Sequence, residues 1–227
     1  MPLTNDIVDA VLDNDPSKVK QLLKSDPSLA TGAFQTPKLY DAKIFHWIYT
    51  GDTLLHLAAA GYRVEIVRLL LESGADPNAA NNHRRSNPLH YAVDGFLTGP
   101  TWDPKRQVET IKELINKGAD INSQDKNGAT PLHRAVRTRC AAAVKFLLDA
   151  GANPTIKNKP GSTPFHLAVQ NTGRGGSGEQ IAIDGQREII KEFLERGIST
   201  NLRDGKGKTV AGSVRSEWIQ QLLSSHT

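Results

Sequence analysis

One short phrase recurs four times along the chain: Thr53-Leu54-Leu55-His56, Asn87-Pro88-Leu89-His90, Thr130-Pro131-Leu132-His133 and Thr163-Pro164-Phe165-His166. Its histidines lie 34, 43 and 33 residues apart. A second phrase keeps phase with the first, as Gly74-Ala75-Asp76, Gly118-Ala119-Asp120, Gly151-Ala152-Asn153 and the looser Gly197-Ile198-Ser199. A unit this short cannot enclose a core of its own, so successive units must stack and share one. Within a unit, threonine caps a first helix, proline suits its first turn, and small apolar residues leave a slim face that neighbours can approach. A second helix follows from the helical spacing of Ile66, Val67, Leu69 and Leu70, of Ile111, Leu114 and Ile115, of Val144, Phe146, Leu147 and Leu148, and of Ile189, Ile190, Phe193 and Leu194. Glycines 74, 118, 151 and 197 supply the helix stops, and the Asn/Asp/Gly-rich segments between units predict projecting turns, with Asn127-Gly128 the clearest.

Both phrases resemble the ankyrin repeat family, whose unit has 33 residues and a Thr-Pro-Leu-His-x-Ala start. The resemblance implies an all-α repeat solenoid, with β-turn/hairpin connections and two helices per repeat. It covers nearly all of the chain as one domain over residues 1–227: a degenerate N-terminal cap at 1–31, an aromatic extension at 32–50, four clear repeats at 51–199 and a degenerate C-terminal cap at 200–227. Ile7, Val8, Val11, Val19, Leu22 and Leu23 give the first cap its helix pair, and Trp218, Ile219, Leu222 and Leu223 the last helix. Terminal units present one polar outer face, so a poor match to the motif is expected there. The family also implies a scaffold hydrogen bond for the motif histidine, and a protein partner held by projecting turns and the concave inner-helix surface.

Lys and Arg total 28 against 24 Asp and Glu, a net charge of +4, with the two signs interspersed. Nucleic-acid binding would need the positive charge gathered into a continuous strip, so it is not expected as a partner class. The composition, 38% hydrophobic and 23% charged, fits a packed fold and excludes overall disorder. Cys140 is the single cysteine, which fits a reducing compartment. With no signal-peptide pattern at Met1–Asp6 and no apolar run of about 20 residues, a cytoplasmic monomer away from membranes is expected. No cofactor or metal is expected either. The four motif histidines would be about 8–10 Å apart in a stack, whereas zinc ligands must each approach to about 2 Å. Gly205-Lys206-Gly207-Lys208-Thr209 ends like a phosphate-binding loop, but Leu202 stands where the motif needs its first glycine.

The departures from the period carry the functional expectations. Between His90 and His133 the chain exceeds a 33-residue period by 10 residues, and between Gly151 and Gly197 by 13. These insertions, near residues 95–106 and 172–186, occupy equivalent places two repeats apart, on one edge and about 20 Å from each other. They flank Arg134 and Arg137 of the intervening first helix and Arg139 at its exit. Arg174 lies in the second insertion among Gly173, Gly175 and Gly176, whose permissive backbone can turn amides toward an anion. Tyr91 and Asp94 are expected on the inner surface, as are Gln170 and Asn171, while Phe96 anchors the first insertion and Trp102 either anchors it or makes contact. A third irregularity precedes Thr53, where the phase leaves 14 extra residues and five aromatics, Phe34, Tyr40, Phe45, Trp47 and Tyr49, gather within residues 34–49. This extension packs back over the first helices or presents a recognition surface, and packing is favoured.

The leading expectation is a module that binds a protein partner, using the arginines for an acidic or phosphate-bearing segment. Its candidate contacts are Tyr91, Asp94, Trp102, Arg134, Arg137, Arg139, Gln170, Asn171, Gly173, Arg174, Gly175 and Gly176. The alternative is a protein for a small anionic ligand, or an unusual enzyme, built from the arginine cluster and the two insertions. Asp94, His83 and Tyr91 offer acid/base groups for it, but no nucleophile–base–orienter spacing assigns a reaction, so no catalytic residue is named and the chain is read as leaning away from an enzyme.

Overall fold

Proline and a capping side chain open three of the four short repeat helices of this chain, and a left-handed glycine follows the long ones. The computed structural model describes residues 3–40, 43–95, 102–170 and 179–225. Among the described residues the short helices are α3 (Leu54–Ala60), α5 (Pro88–Ala92), α7 (Pro131–Arg137) and α9 (Pro164–Ala168). Asn87, Thr130 and Thr163 each accept the backbone N–H of the histidine three residues on, and Pro88, Pro131 and Pro164 fill the first helical position. Each short helix precedes a longer one: α4 (Val64–Glu72), α6 (Pro104–Asn116), α8 (Ala141–Asp149) and α10 (Gln180–Glu195). These four stop two residues before Gly74, Gly118, Gly151 and Gly197, which take φ of 91°, 90°, 91° and 68°. Helices α1 (Asn5–Leu12) and α2 (Pro16–Ser25) form the first end of the stack, and α11 (Val210–Ser213) and α12 (Glu217–Ser224) the last.

The result is a mostly helical repeat solenoid. Short helices pack on short helices (α3 on α5, α7 on α9), and long on long (α4 on α6, α6 on α8, α8 on α10). Ala58, Ala92, Ala135 and Ala168 are fully buried at the equivalent position of the short helices, where a larger side chain would hold neighbours apart. One apolar core runs from Ile7 to Leu223.

The motif histidines tie each unit to the next. The Nδ1 of His56, His90 and His133 accepts the backbone N–H of its own capping residue, Thr53, Asn87 or Thr130, at 3.0–3.2 Å. That leaves Nε2–H to donate across the stack. His56 reaches the carbonyl of Ser86, His90 that of Ala129, His133 that of Ser162 and His166 that of Lys208, each at 3.0 Å. Every acceptor is the residue just before the next helix cap. The tautomer follows from this network, and protonating Nδ1 would set a donor against a donor.

The two insertions lengthen helices as well as loops. Helices α4 and α8 have 9 residues each, whereas α6 has 13 and α10 has 16, the extra turns lying at their N-terminal ends. Residues 104–106 and 180–186, expected as insertion, are therefore largely helix. In units without an insertion the carbonyl two residues after the motif histidine is capped by backbone: Arg63 N–H donates to Ala58 O, and Cys140 N–H to Ala135 O, both at about 3 Å. The inserted units put the amide elsewhere, and a side chain at the same aligned position replaces it. Gln107 Nε2 donates to Ala92 O at 3.1 Å, and Gln186 Nε2 to Ala168 O at 2.6 Å; both glutamines are buried. The shorter route has its own requirement, a left-handed residue before the donor, met by Tyr62 and Arg139 with φ of 54° and 62°.

The early extension is a hairpin of β1 (Lys38–Tyr40) and β2 (His46–Ile48), antiparallel, with Leu39 opposite Trp47. Alternation turns His46 and the buried Ile48 inward against α3, and turns Leu39 and Trp47 outward, where both are exposed. Packing and presentation thus belong to opposite faces of one ribbon.

Two outcomes follow. Gln107→Leu and Gln186→Leu keep the bulk but strand a buried carbonyl, and each should lower unfolding stability by about 1–3 kcal/mol in urea titrations; losses under about 0.5 kcal/mol would contradict the clamp. Burial lowers the pKa of His56 and His133, and burial with the nearby Arg134 charge lowers His90 to about 3. The unfolded chain then takes up protons that the fold refuses, so stability present at pH 7.5 falls as pH drops below about 6.5, by about 1 kcal/mol near pH 5.5 from His90 alone. A urea midpoint unchanged between those two pH values would refute this.

Candidate functional site

Three surfaces meet at the middle of the stack: the inner face, the turn edge and the hairpin. The inner face holds a chain of charged and polar groups packed between α5 and α7. Arg134 on α7 is 1% exposed; its Nη1 donates to Asp94 Oδ2 at 3.1 Å, and its Nη2 to Asp125 Oδ2 at 2.7 Å and to Ser86 Oγ. Asp94 sits at the exit of α5 and also meets His46 of the hairpin, with Nε2 to Oδ2 at 3.4 Å. His46 lies over the Tyr91 ring, centroids 4.7 Å apart. The Tyr91 hydroxyl donates to Asp52 Oδ2 at 2.7 Å, and the Tyr62 hydroxyl to the Asp94 carbonyl at 2.6 Å.

Burial alone would raise the Asp94 carboxyl, but the His46 hydrogen bond and the Arg134 charge outweigh it and hold the pKa below the ordinary value. Asp125 is lowered in the same way, burial opposing and Arg134 prevailing. Burial would lower Arg134, and Asp94 with Asp125 raise it instead. Burial and the Asp52 carboxylate push the Tyr91 hydroxyl far up. Both terminal nitrogens of Arg134 and the hydroxyls of Tyr62 and Tyr91 are thus committed to acceptors inside the protein.

Tyr91 and Arg134 therefore do not lie on the inner surface as the sequence suggested; both are core. The position after the motif histidine is turned into the stack in every unit, and the corresponding residues, Leu57 and Leu167, are apolar. Comparing those four residues across the repeats is the signal that would have placed them. The outward row lies three residues further on, at Asp94, Arg137 and Gln170, of which Asp94 is largely buried in the Arg134 network. There Arg137 is 62% exposed, with Nη2 4.0 Å from Asp94 Oδ1, and Gln170 is exposed.

Arg139 is folded back rather than projecting, with Nη1 on the Val136 carbonyl at 3.1 Å and Nη2 on that of Gln170 at 3.3 Å. The described ends of both insertions close on its turn. Gly95 lies so near Cys140 and Trp102 that a Cβ there would stand 2.2 Å from Cys140 Sγ, and a Cβ on Gly185 of α10 would stand 2.7 Å from the Arg139 carbonyl. Trp102 is partly buried and donates from Nε1 to Gln107 Oε1 at 3.2 Å, which gives it an anchoring contact. Phe96, Asn171, Gly173, Arg174, Gly175 and Gly176 lie outside the described residues.

The projecting turns are expected from the sequence, but none of their cations is among the residues it singles out. Asn82, Asp125, Asn158 and Asp204 occupy one position of four successive turns, and each uses Oδ1 to accept backbone N–H groups of its own turn. The turns also touch each other: Lys126 N–H donates to the Arg84 carbonyl at 2.7 Å, and Lys159 N–H to that of Asn127 at 2.9 Å. Further along, a Cβ on Gly161 would stand 2.3 Å from Gly205 Cα. The two acids of this edge are spent internally, Asp125 on Arg134 and its own turn, Asp204 on the Lys206 and Lys208 amides. Arg85, Lys126, Lys157, Lys159, Lys206 and Lys208 are exposed, and among the described residues none of their side chains forms an ion pair. At the hairpin end, Arg84 lies 5.3 Å over the Tyr49 ring, and Tyr49 stacks at 6.4 Å on Trp47, which is 47% exposed.

A family model for ankyrin repeats in three copies matches residues 104–204, and a single-repeat model matches residues 50–82. The chain belongs to the ankyrin repeat family. Among curated relatives, the neurogenic locus notch homolog protein 1 of Xenopus tropicalis is 36% identical over 121 residues, covering 42% of this chain and 5% of the relative. Ankyrin repeat and SOCS box protein 6 of Mus musculus is 34% identical over 84 residues, covering 37% and 18%. Alpha-latrotoxin-Lhe1a of Latrodectus hesperus is 37% identical over 89 residues, covering 38% and 6%. The chain thus spans less than a fifth of each of these relatives. Ankyrin repeats are generally protein–protein interaction modules, and this chain carries that scaffold. Among the described residues there is no group of three or more His, Cys, Asp or Glu suited to a metal ion, and no helix long and apolar enough to cross a membrane.

The geometry of this ankyrin face separates its arginines sharply. Arg134→Ala leaves Asp94 and Asp125 buried without their cation and should cost about 3–5 kcal/mol of unfolding stability, whereas Arg137→Ala should cost less than about 0.5 kcal/mol. Similar losses for the two variants in thermal or urea unfolding would overturn the assignment of Arg134 to the interior.

Proposed function

We propose that this chain is a protein-recognition module that holds an acidic or phosphate-bearing segment of its partner along the turn edge. The observation that carries the reading is the row of six exposed cations that form no ion pair among the described residues, beside Asp125, which is buried against Arg134, and Asp204, whose Oδ1 accepts two amides of its own turn. Arg85, Lys126, Lys157 and Lys159 line an open depression on this edge, together with Gln124 and Asp125. Arg137 and Gln170 on the inner face extend the surface beyond the turns. The small-anion or enzyme reading rested on a cluster in which Arg134 is committed to Asp94 and Asp125, so the partner-segment reading is preferred. Cytoplasmic residence as a monomer belongs to this proposal, supported by a single buried thiol that offers no disulfide.

The test is fluorescence anisotropy with a labelled glutamate-rich peptide and its phosphoserine counterpart. Binding should weaken steeply between low and physiological salt, and Lys126→Glu with Lys159→Glu should weaken it at least about tenfold while circular dichroism stays native. If neither peptide binds, or if the charge reversals leave binding intact, this reading is wrong.

A further inference from the structure

The turn edge is periodic as well as basic. Arg84 and Arg85, then Lys126, then Lys157 and Lys159, then Lys206 and Lys208 stand on four successive turns. Backbone contacts between consecutive turns, through Arg84 with Lys126, Asn127 with Lys159 and Gly161 with Gly205, hold those turns in line. Their repeat distance is that of packed helices, about 8–10 Å. A chain crossing the turns meets a cationic group once per such step.

An extended strand is a poor match to that step. Its side chains alternate, so those on one face recur every second residue, about 6.6 Å apart, and residues three apart point to opposite faces. A polyproline-II chain repeats after three residues and about 9.3 Å, which returns every third side chain to the same face at the spacing of the turns. The row offers mainly lysines, whose compact charges on flexible stems serve single carboxylates or phosphates rather than fixed planar forks. At one end it meets an apolar platform: Arg84 covers Tyr49, Tyr49 stacks on Trp47, and Trp47 shares the outward face of the hairpin with Leu39.

We infer that the turn edge reads a polyproline-II segment with an acidic side chain at every third residue and an apolar residue at the end that reaches Trp47 and Leu39. The inference rests on the acidic-segment reading above and specifies its partner. Spacing supplies selectivity on this surface, because a clustered run of acids satisfies one turn and leaves the others facing water. The outward Trp47–Leu39 pair fixes which turn the segment starts from, since sliding by one turn would remove the apolar contact.

The experiment uses the whole chain and three peptides, the first two of identical composition. One carries a Glu-Pro-Ser triplet per turn, preceded or followed by leucine; a second has its glutamates adjacent and its prolines and serines pooled; a third matches the first without leucine. Anisotropy titrations should rank the in-phase peptide about tenfold tighter than the clustered one. Trp47→Ala should lower affinity for the leucine peptide several-fold and leave the leucine-free peptide unchanged. Equal affinity of in-phase and clustered peptides would overturn the spacing inference while leaving acidic recognition standing. Failure of every acidic peptide to bind would overturn both. Tighter binding of an oligothymidylate than of any peptide would also overturn it, assigning the edge to nucleic acid. Intact binding of the leucine peptide by Trp47→Ala, with native circular dichroism, would remove the apolar anchor.

Discussion

The structure hangs on one bond repeated four times, the Nε2–H of a motif histidine donated to the carbonyl that precedes the next helix cap. Each bond joins two scales. One side of the imidazole is fixed by the cap of its own helix, and the other positions the turn from which the next helix starts. An error in one unit would therefore displace the turn of the next, and the turns touch through backbone hydrogen bonds that tolerate little displacement. Alignment of the turn edge, and with it the placing of charge along that edge, is set by groups that never reach the surface.

Much of this was legible in the sequence because the repeat states its own register. The caps, the proline at the first helical position, the apolar periodicity and the glycine stops are local signals, and they occur where the helices begin and end. The faces were harder. Tyr91 and Arg134 are polar residues at a position that is Leu57 and Leu167 in the other units, and a polar residue there reads as exposed. Arg134 enters the core because Asp94 and Asp125, 40 and 9 residues away in sequence, are brought to its two terminal nitrogens. No local pattern announces such a pairing. The aromatic extension was recognised as an extra element, but its division into an inward Ile48 face and an outward Trp47 face needed the strand pairing.

The distribution of charge illustrates the same limit. Acidic and basic residues are interspersed along the chain, and the net charge of +4 describes neither the interior nor the edge. Folding sorts them. Turn acids such as Asp125 and Asp204 bend back onto amide groups of their own turns, since a carboxylate at that position satisfies donors the backbone leaves open. The lysines beside them have long stems and no comparable internal acceptor, so they remain outside. A sequence with mixed charges thereby yields a turn edge whose outermost groups are mainly cations.

Gln107 and Gln186 have a further consequence, for the evolution of the loops they secure. A backbone cap works only if the connecting segment has a fixed length, because the donor amide is part of that segment. The glutamine amide belongs to the long helix instead, so the stretch between Ala92 and Gln107, or between Ala168 and Gln186, no longer determines whether the short helix is capped. Closing such a stretch costs only about 0.6 kcal/mol more for each doubling of its length. These two places are thus positions at which sequence can be gained, lost or exchanged without renegotiating the stack, and they open on the same side of the solenoid.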